Sequence, residues 1–164
     1  MNRIWSITLT VFLTLFFIYG LVQPPDAESR NPGKDSPSVA QSEKLRTMPM
    51  TVGKQIIQAS IADTDESKTR GLLGWDRITE EQGMLLDFVI AGHYAIHMQG
   101  MRFPIDALWI DDKGAIVLIY DSIQPNSGRV YRSMFPSRYC LELKAGFCKK
   151  YDVRMGDKVF FGIK

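Results

Sequence analysis

Short apolar segments separated by turn residues recur along residues 48–164, and they limit the fold more than any other feature of the sequence. Each segment has the length of a β-strand, and several alternate apolar with polar residues, as strands with one buried face do. Helical patterns of crossover length do not alternate with these segments. We therefore predict a mainly β (α+β) fold, a compact barrel- or sandwich-like antiparallel sheet with one or two short helices.

Turn and capping residues predict where these elements begin and end. A Gly-Lys pair suits a two-residue turn between strands at residues 48–52 and 55–62. Asp63 and Glu66 can cap a short helix that ends at about residue 73. The other predicted strands are 83–89, 115–120, 139–143 and 158–163, and a second short helix is predicted at 146–151.

Residues 94–98 and 105–110 are two apolar runs, and we predict that they pair as the central hairpin of the domain. Asp106 lies inside the second run. Because an unpaired buried charge costs several kcal/mol, roughly, this carboxylate must be either exposed or partnered. The predicted partner is Arg70, in a bidentate ion pair that holds the first helix against the sheet.

The N-terminal residues predict export. Residues 4–22 are apolar and uncharged, and a helix of that length, at about 1.5 Å per residue, can span a hydrocarbon core of roughly 30 Å. Residues 1–23 are therefore a signal anchor or a signal peptide, and their length favours the anchor. Arg3 predicts a cytoplasmic N-terminus, with the rest on the periplasmic or extracytoplasmic face of the inner membrane. Residues 24–47, rich in Pro, Ser and charged residues, predict a flexible linker to a globular domain at 48–164.

A series of short motifs follows in a fixed order from about residue 51 to the C-terminus. The motifs are Ala62-Asp63-Thr64, Arg70-Gly71-Leu72-Leu73, Gly83-Met84-Leu85 with Phe88, Met98 with Pro104-Ile105-Asp106, Leu141-Glu142-Leu143-Lys144-Ala145-Gly146, and Gly156-Asp157. This series resembles the prokaryotic "domain of unknown function 192" family. The resemblance implies a small β-rich domain that is often exported, and it implies no particular biochemical activity.

One segment departs from that family. Where the family usually has Trp-Met-Lys-Asn-Thr, this chain has His97-Met98-Gln99-Gly100-Met101. An aromatic side chain, a cation and an amide are thus missing or replaced. If those family residues line a ligand site, the resemblance implies that this chain binds a different ligand or binds more weakly.

Polar and aromatic residues within the apolar segments are the candidates for a ligand site. They are Asp63, Arg70, His97, Asp106, Trp109 and Glu142. A structural role is the alternative for Asp106 with Arg70, and a hydrogen-bonded side chain is the alternative for His97. If the candidates converge in one concave surface, they indicate an acid–base or ligand-anchoring site.

Cys140 and Cys148 are the two cysteines of the chain, and in an exported domain they are candidates for a disulfide. By the loop-entropy argument a bridge would add roughly 2–3 kcal/mol. Inert thiols are the alternative, and redox or metal chemistry is disfavoured because the spacing is not Cys-x-x-Cys. His93 and His97 would lie about 13 Å apart along a strand, too far for one metal ion. We predict no metal and no cofactor.

Composition and motifs together limit the function classes. A formal net charge of +2 without a run of Lys or Arg argues against nucleic acid as a partner. The sequence predicts a membrane-tethered extracytoplasmic binding or accessory module for a small molecule, a glycan or an envelope protein. Two alternatives remain, a small enzyme with Asp106 and His97 as an acid–base pair and Arg70 as an anion anchor, and a structural partner in an envelope complex. The aromatic residues suited to a binding surface are Trp75, Tyr94, Phe103 and Trp109.

Overall fold

The structure is a computed structural model that describes residues 45–162. These residues form nine strands and two short helices. In chain order the elements are β1 (Thr47–Val52), β2 (Gln55–Ala62), α1 (Asp65–Arg70), β3 (Gln82–Gly92), β4 (Ala95–His97), β5 (Ile105–Ile110), β6 (Ile116–Ile123), β7 (Val130–Arg132), β8 (Ser137–Lys144), α2 (Phe147–Tyr151) and β9 (Val159–Phe161). The predicted mainly β fold with two short helices is confirmed.

Seven of these strands form one sheet that curls into a half-barrel, in the order β6-β5-β8-β3-β2-β1-β9. Strands β4 and β7 form a second, two-stranded sheet. The pairing of β2 with β3 is parallel, and the other pairings of the described strands are antiparallel. The parallel pair requires a crossover, which residues 63–81 provide. Because α1 within this crossover has only six residues, it leaves no helical pattern of crossover length in the sequence.

The predicted central hairpin is wrong. Strand β4 pairs with β7, whereas β5 lies between β6 and β8 in the large sheet. All six residues of β5 are buried, because core side chains cover both faces of the sheet at this strand. Residues 98–104 therefore connect two different sheets and do not close a hairpin.

Local signals were more reliable. The hairpin β1–β2 forms as predicted, and the predicted strand 115–120 forms most of β6, which pairs with β5. Helix α1 is also present, but its cap differs from the prediction: the side chain of Thr64 accepts from the backbone N–H of Ser67, and the Ser67 side chain accepts from the N–H of Thr64. The helix ends at Arg70, three residues earlier than predicted, because Gly71 leaves the helical region with φ 47° and ψ −127°.

The core consists of two clusters of side chains on opposite faces of the large sheet. Neighbouring residues of β5 show the division, since Leu108 belongs to the first cluster and Trp109 to the second. Helix α2 contributes Phe147 to the first cluster, and the segment after α1 contributes Leu72 to the second. Any side chain on β5 or β8 therefore points toward one cluster or the other according to its position in the strand.

The predicted N-terminal anchor and all but the last three residues of the predicted linker lie outside the described residues. Within residues 45–162, no helix has both the length and the apolar character needed to cross a membrane.

Candidate functional site

A cavity of about 560 Å³ lies beside α1. Helix α1 and the turn after it form one wall, strand β4 and residues near it form another, and side chains from β3 and β8 also line the space. Of the six candidate residues, Arg70, His97 and Glu142 line this cavity, whereas Asp63, Asp106 and Trp109 do not. The structure thus brings half of the predicted site together.

Glu142 is the buried acidic residue of the cavity. It pairs with Met84 of β3 and Ala107 of β5, so it points toward the second core cluster, and only 6% of its surface is exposed. Its Oε2 atom is buried and has no hydrogen-bond partner among the described residues. Burial raises the pKa of the Glu142 carboxyl from its ordinary 4.5 to about 7, because the charged form loses hydration. The carboxyl can therefore change protonation state near neutral pH.

Gly71 lies next to this carboxyl. A Cβ atom at position 71 would be 3.6 Å from Oε2 of Glu142, and the φ of 47° with ψ of −127° is a conformation that side chains with a Cβ rarely adopt. The glycine thus lets the backbone after α1 turn sharply beside the acid. Its absence of a side chain also leaves space next to the carboxyl.

Two cations of α1 line the same cavity. Lys68 Nζ lies 3.2 Å from a carboxylate oxygen of Asp65, and Arg70 lies 2.5 Å from one of Glu66. Both acidic partners are largely exposed, so these pairs contribute little to stability. The Lys68 side chain itself is only 15% exposed, and its ammonium group lies 5.8 Å from the centre of the Phe88 ring. Lys68 is therefore held against the cavity by its aliphatic stem and by an aromatic ring.

Aromatic rings form an apolar part of the lining. Phe88 and Tyr94 stack with ring centres 3.9 Å apart and planes 7° from parallel. The Tyr94 hydroxyl donates to the carbonyl of Ile90, which fixes the ring, and Trp109 stacks behind Phe88 at 6.1 Å. The cavity thus presents a flat apolar surface together with its charged groups. Tyr94 belongs to the predicted aromatic set, and Trp109 supports this wall from within the core.

The candidate histidine lies at an exposed position. His97 ends β4 and lines the cavity, where its ring is open to solvent. His93 lies apart from the cavity lining, with Nδ1 3.1 Å from the carbonyl of Ser133. No group of three His, Cys, Asp or Glu side chains that could hold a metal ion occurs in residues 45–162.

Asp106 is bound by backbone groups and has a structural role. It is fully buried, and its carboxylate accepts three backbone N–H groups, from Ser122 at 2.8 Å, Gly146 at 3.0 Å and Cys148 at 2.9 Å. These contacts tie β6 and the start of α2 to β5. The predicted ion pair with Arg70 is wrong, because Arg70 pairs with Glu66 and Asp106 lies on the opposite face of the sheet from Glu142.

The two remaining candidates also lie elsewhere. Asp63 is exposed and forms an ion pair with Arg46 at 3.0 Å. Trp109 is fully buried in the second core cluster, and its Nε1 has no hydrogen-bond partner within the described residues. Neither side chain reaches the cavity.

The candidate disulfide is not formed in the structure. Both cysteines are free and buried, with Cys140 in the second core cluster and Cys148 in the first. Burial raises the pKa of both thiols, with a smaller contribution from Glu142 at Cys140 and from Asp106 at Cys148. Thiols of this kind are poor nucleophiles, which agrees with the alternative of inert cysteines.

Lys68, Gly71 and Phe88 line the cavity but were not among the predicted site residues. Lys68 lies two positions before Arg70 on a helix, a spacing that does not normally place two side chains on one face. Phe88 lies in the irregular part of β3, where the pairing with β8 shifts register between Asp87 and Gly92. Gly71 lay inside the predicted helix, and the signal was the glycine itself, because a glycine near the end of a helical pattern can mark an earlier helix end.

Comparison with known proteins identifies the chain by family and by fold. Residues 48–161 match the family DUF192, described as "Uncharacterized ACR". No curated protein matches the chain. A similar crystal structure is that of a candidate transcription regulator from Sinorhizobium meliloti 1021, with a TM-score of 0.66 and 25% identity over 70% of this chain and 92% of the other. Another is a protein of unknown function from Novosphingobium aromaticivorans DSM 12444, with a TM-score of 0.69 and 20% identity over 77% and 93%.

Proposed function

This chain belongs to the DUF192 family, and from that premise we propose that it is a small-molecule-binding module tethered to the outer face of the cytoplasmic membrane. The binding site is the cavity beside α1. The tether is the apolar segment at residues 4–22, whose length and lack of charge support a membrane anchor.

The observation that carries the binding proposal is the unpartnered carboxyl oxygen of Glu142. A buried polar atom without a hydrogen bond costs roughly 1–3 kcal/mol, and folded proteins rarely leave one without a reason. This atom belongs to a residue that lines a cavity of about 560 Å³, a size typical of small-molecule sites. A ligand with a hydrogen-bond donor would satisfy it.

The neighbouring groups support the same proposal. The stacked rings of Phe88 and Tyr94 offer apolar contact area, and Lys68 and Arg70 offer charged hydrogen-bond donors. A pocket with a flat apolar wall and a few polar groups of defined position is typical of a site for a small organic molecule. We do not propose transcription regulation, the role in the description of the Sinorhizobium meliloti neighbour. The 20 Lys and Arg residues of this chain nearly balance its 18 Asp and Glu residues, which does not favour nucleic acid as a partner.

The binding proposal is tested by thermal denaturation of the full chain in mild detergent against a panel of sugars, amino acids, organic acids and divalent metals. At least one compound is expected to raise the melting temperature, because a ligand that binds the native state stabilises it. Glu142→Gln is expected to lose the shift, and Glu81→Gln, at an exposed position outside the cavity, is expected to keep it. A panel in which every compound affects wild type and Glu142→Gln equally would contradict the proposal.

The tether is tested separately by fusing alkaline phosphatase to the C-terminus, since this enzyme folds only where disulfides form. An active fusion that fractionates with membranes is expected. An inactive fusion would place the domain in the cytoplasm and refute the proposed location.

A second candidate function is acid–base catalysis in the same cavity. It is favoured by the pKa of Glu142 of about 7, near the value suited to proton transfer at neutral pH, and by His97 in the same lining. Here Glu142 replaces Asp106 of the predicted acid–base pair. Mass spectrometry of each stabilising compound after incubation decides between the two: Glu142-dependent conversion indicates an enzyme, and unchanged compound indicates a binding module.

A further inference from the structure

We infer that the cavity beside α1 takes a small zwitterion, whose ammonium group binds the Glu142 carboxylate and whose anionic group binds Lys68 and Arg70. This inference rests on the proposed binding function and names the chemical class of its ligand.

The Glu142 carboxyl is suited to a cationic group of a ligand. Oε2 of Glu142 is buried and has no hydrogen-bond partner within the described part of the chain, and only 6% of the residue is exposed. A ligand ammonium group would both donate a hydrogen bond to this oxygen and neutralise the charge of the carboxylate. Charge-assisted hydrogen bonds of this type are about twice as strong as neutral ones, and they gain further where water is excluded.

The two cations of α1 are suited to an anionic group of a ligand. Lys68 and Arg70 both line the space, and their partners Asp65 and Glu66 have side chains 104% and 78% exposed. Ion pairs with such exposed partners are weak, so a ligand anion can replace them at little cost. The guanidinium of Arg70 suits a carboxylate because two of its N–H groups can donate in parallel to the two oxygens.

Glu142 and the two cations are not paired with each other. Lys68 pairs with Asp65 and Arg70 pairs with Glu66, and neither cation forms an ion pair with Glu142 within residues 45–162. The cations therefore do not already neutralise the acid, although all three line one cavity. A ligand that carries opposite charges at its two ends would satisfy both groups, whereas a simple amine or a simple acid would satisfy one.

Part of the cavity lining is apolar. Phe88 and Tyr94 present stacked rings, and Leu72, Leu86 and Ile96 also line the cavity. This surface suits the carbon skeleton of an organic zwitterion better than the many hydroxyls of a sugar. Free amino acids and close analogues are the smallest members of the ligand class.

The test is isothermal titration calorimetry of the full chain with single free L-amino acids as probes. Each is compared with the α-hydroxy acid that lacks the amine and with the amine that lacks the carboxylate. At least one amino acid is expected to bind, and each truncated analogue is expected to bind at least about tenfold more weakly, since tenfold is the effect of one lost hydrogen bond of about 1.4 kcal/mol. Glu142→Gln is expected to weaken binding by at least the same factor, and Glu81→Gln to leave it unchanged.

Proton release gives a second readout. Because an ammonium ligand binds the ionised carboxylate, binding at pH 7 is expected to release about half a proton from a group with a pKa of about 7, detected as a dependence of the heat on buffer ionisation. Absence of binding by every amino acid, equal binding of the α-hydroxy acid, or no proton release would each overturn the inference. Glu142-dependent binding of a neutral sugar in the broader thermal panel would overturn the inference while the proposed function stands, and failure of both sets of compounds would overturn both.

Discussion

Two buried acidic residues on adjacent strands show how one sequence pattern leads to two different environments. Asp106 lies between Ile105 and Ala107 on β5, and Glu142 lies between Leu141 and Leu143 on β8. The carboxylate of Asp106 accepts three backbone N–H groups, whereas Oε2 of Glu142 has no partner among the described residues. The first acid therefore holds the fold together, and the second is available to a ligand.

The difference follows from the strand register. Glu142 pairs with Ala107, so Asp106, one residue before Ala107, points to the opposite face of the sheet. On that face the loop into α2 brings its N–H groups to the carboxylate. On the other face the turn after α1 presents Gly71 to Glu142, and no N–H group of this turn donates to the acid.

The largest expected effect is that of Asp106→Ala. Removal of the carboxylate takes away three hydrogen bonds to backbone N–H groups, one of them buried and two partly buried, and we expect a loss of roughly 3–5 kcal/mol in the free energy of unfolding. Urea denaturation measures it, with the exposed Asp121→Asn on β6 as a control that should stay within about 0.5 kcal/mol of wild type. A stable Asp106→Ala domain would remove the structural half of the comparison.

The next effect is a pH dependence that belongs to Glu142. Its pKa is raised from 4.5 to about 7, so between these values the unfolded state releases a proton that the folded state keeps, and stability falls as pH rises. The shift corresponds to about 3 kcal/mol lost by pH 8 relative to pH 4. Glu142→Gln should lack this decrease.

Urea denaturation of wild type and Glu142→Gln across pH 4–8 measures the difference between the two curves. Parallel curves would show that the Glu142 carboxyl is solvated or partnered. The contrast between a partnered Asp106 and an unpartnered Glu142 would then be lost.

Gly71→Ala is expected to have an intermediate effect. The φ of 47° with ψ of −127° strains any residue with a Cβ, and we expect a loss of about 1–3 kcal/mol. Gly74→Ala is the matched control, because Gly74 has a φ of 87° but no atom within 4 Å of an added Cβ. Both variants should lose stability by urea denaturation, but only Gly71→Ala should also weaken binding of the stabilising compound. Equal binding by both variants would show that the space beside Glu142 is not used.

Arg70→Ala is expected to have the smallest effect on stability. Its ion pair with Glu66 is an exposed pair one helical turn apart, worth less than about 0.5 kcal/mol. Urea denaturation should therefore resolve little change, while affinity for an anionic ligand should fall. A large loss of stability would instead support the structural role predicted from the sequence, in which Arg70 holds α1 against the sheet.

The sequence allowed most of the strands to be predicted and much less of their pairing. Alternating apolar residues and local turns identified β1, β2, β5 and β6, because hairpin signals depend on neighbouring residues. Strand β4 at residues 95–97 pairs with β7 at residues 130–132. No local pattern encodes a pairing between segments so far apart in the sequence.

The candidate site was predicted in part for a similar reason. An acid between apolar residues on a strand indicates that a buried carboxylate needs an explanation, and this flagged both Asp106 and Glu142. Which of the two has backbone N–H partners depends on the register of β5 with β8 and on the position of the loop into α2. Those are tertiary features, so the sequence could not rank the two acids.

The most direct test of this account is a titration of the Glu142 side chain in the full chain by carbon NMR of its carboxyl group, with Glu142→Gln to assign the signal. The account predicts a midpoint at about pH 7, since burial without a partner disfavours the charged form. A midpoint near 4.5 would contradict it, because the carboxyl would then be hydrated or already partnered.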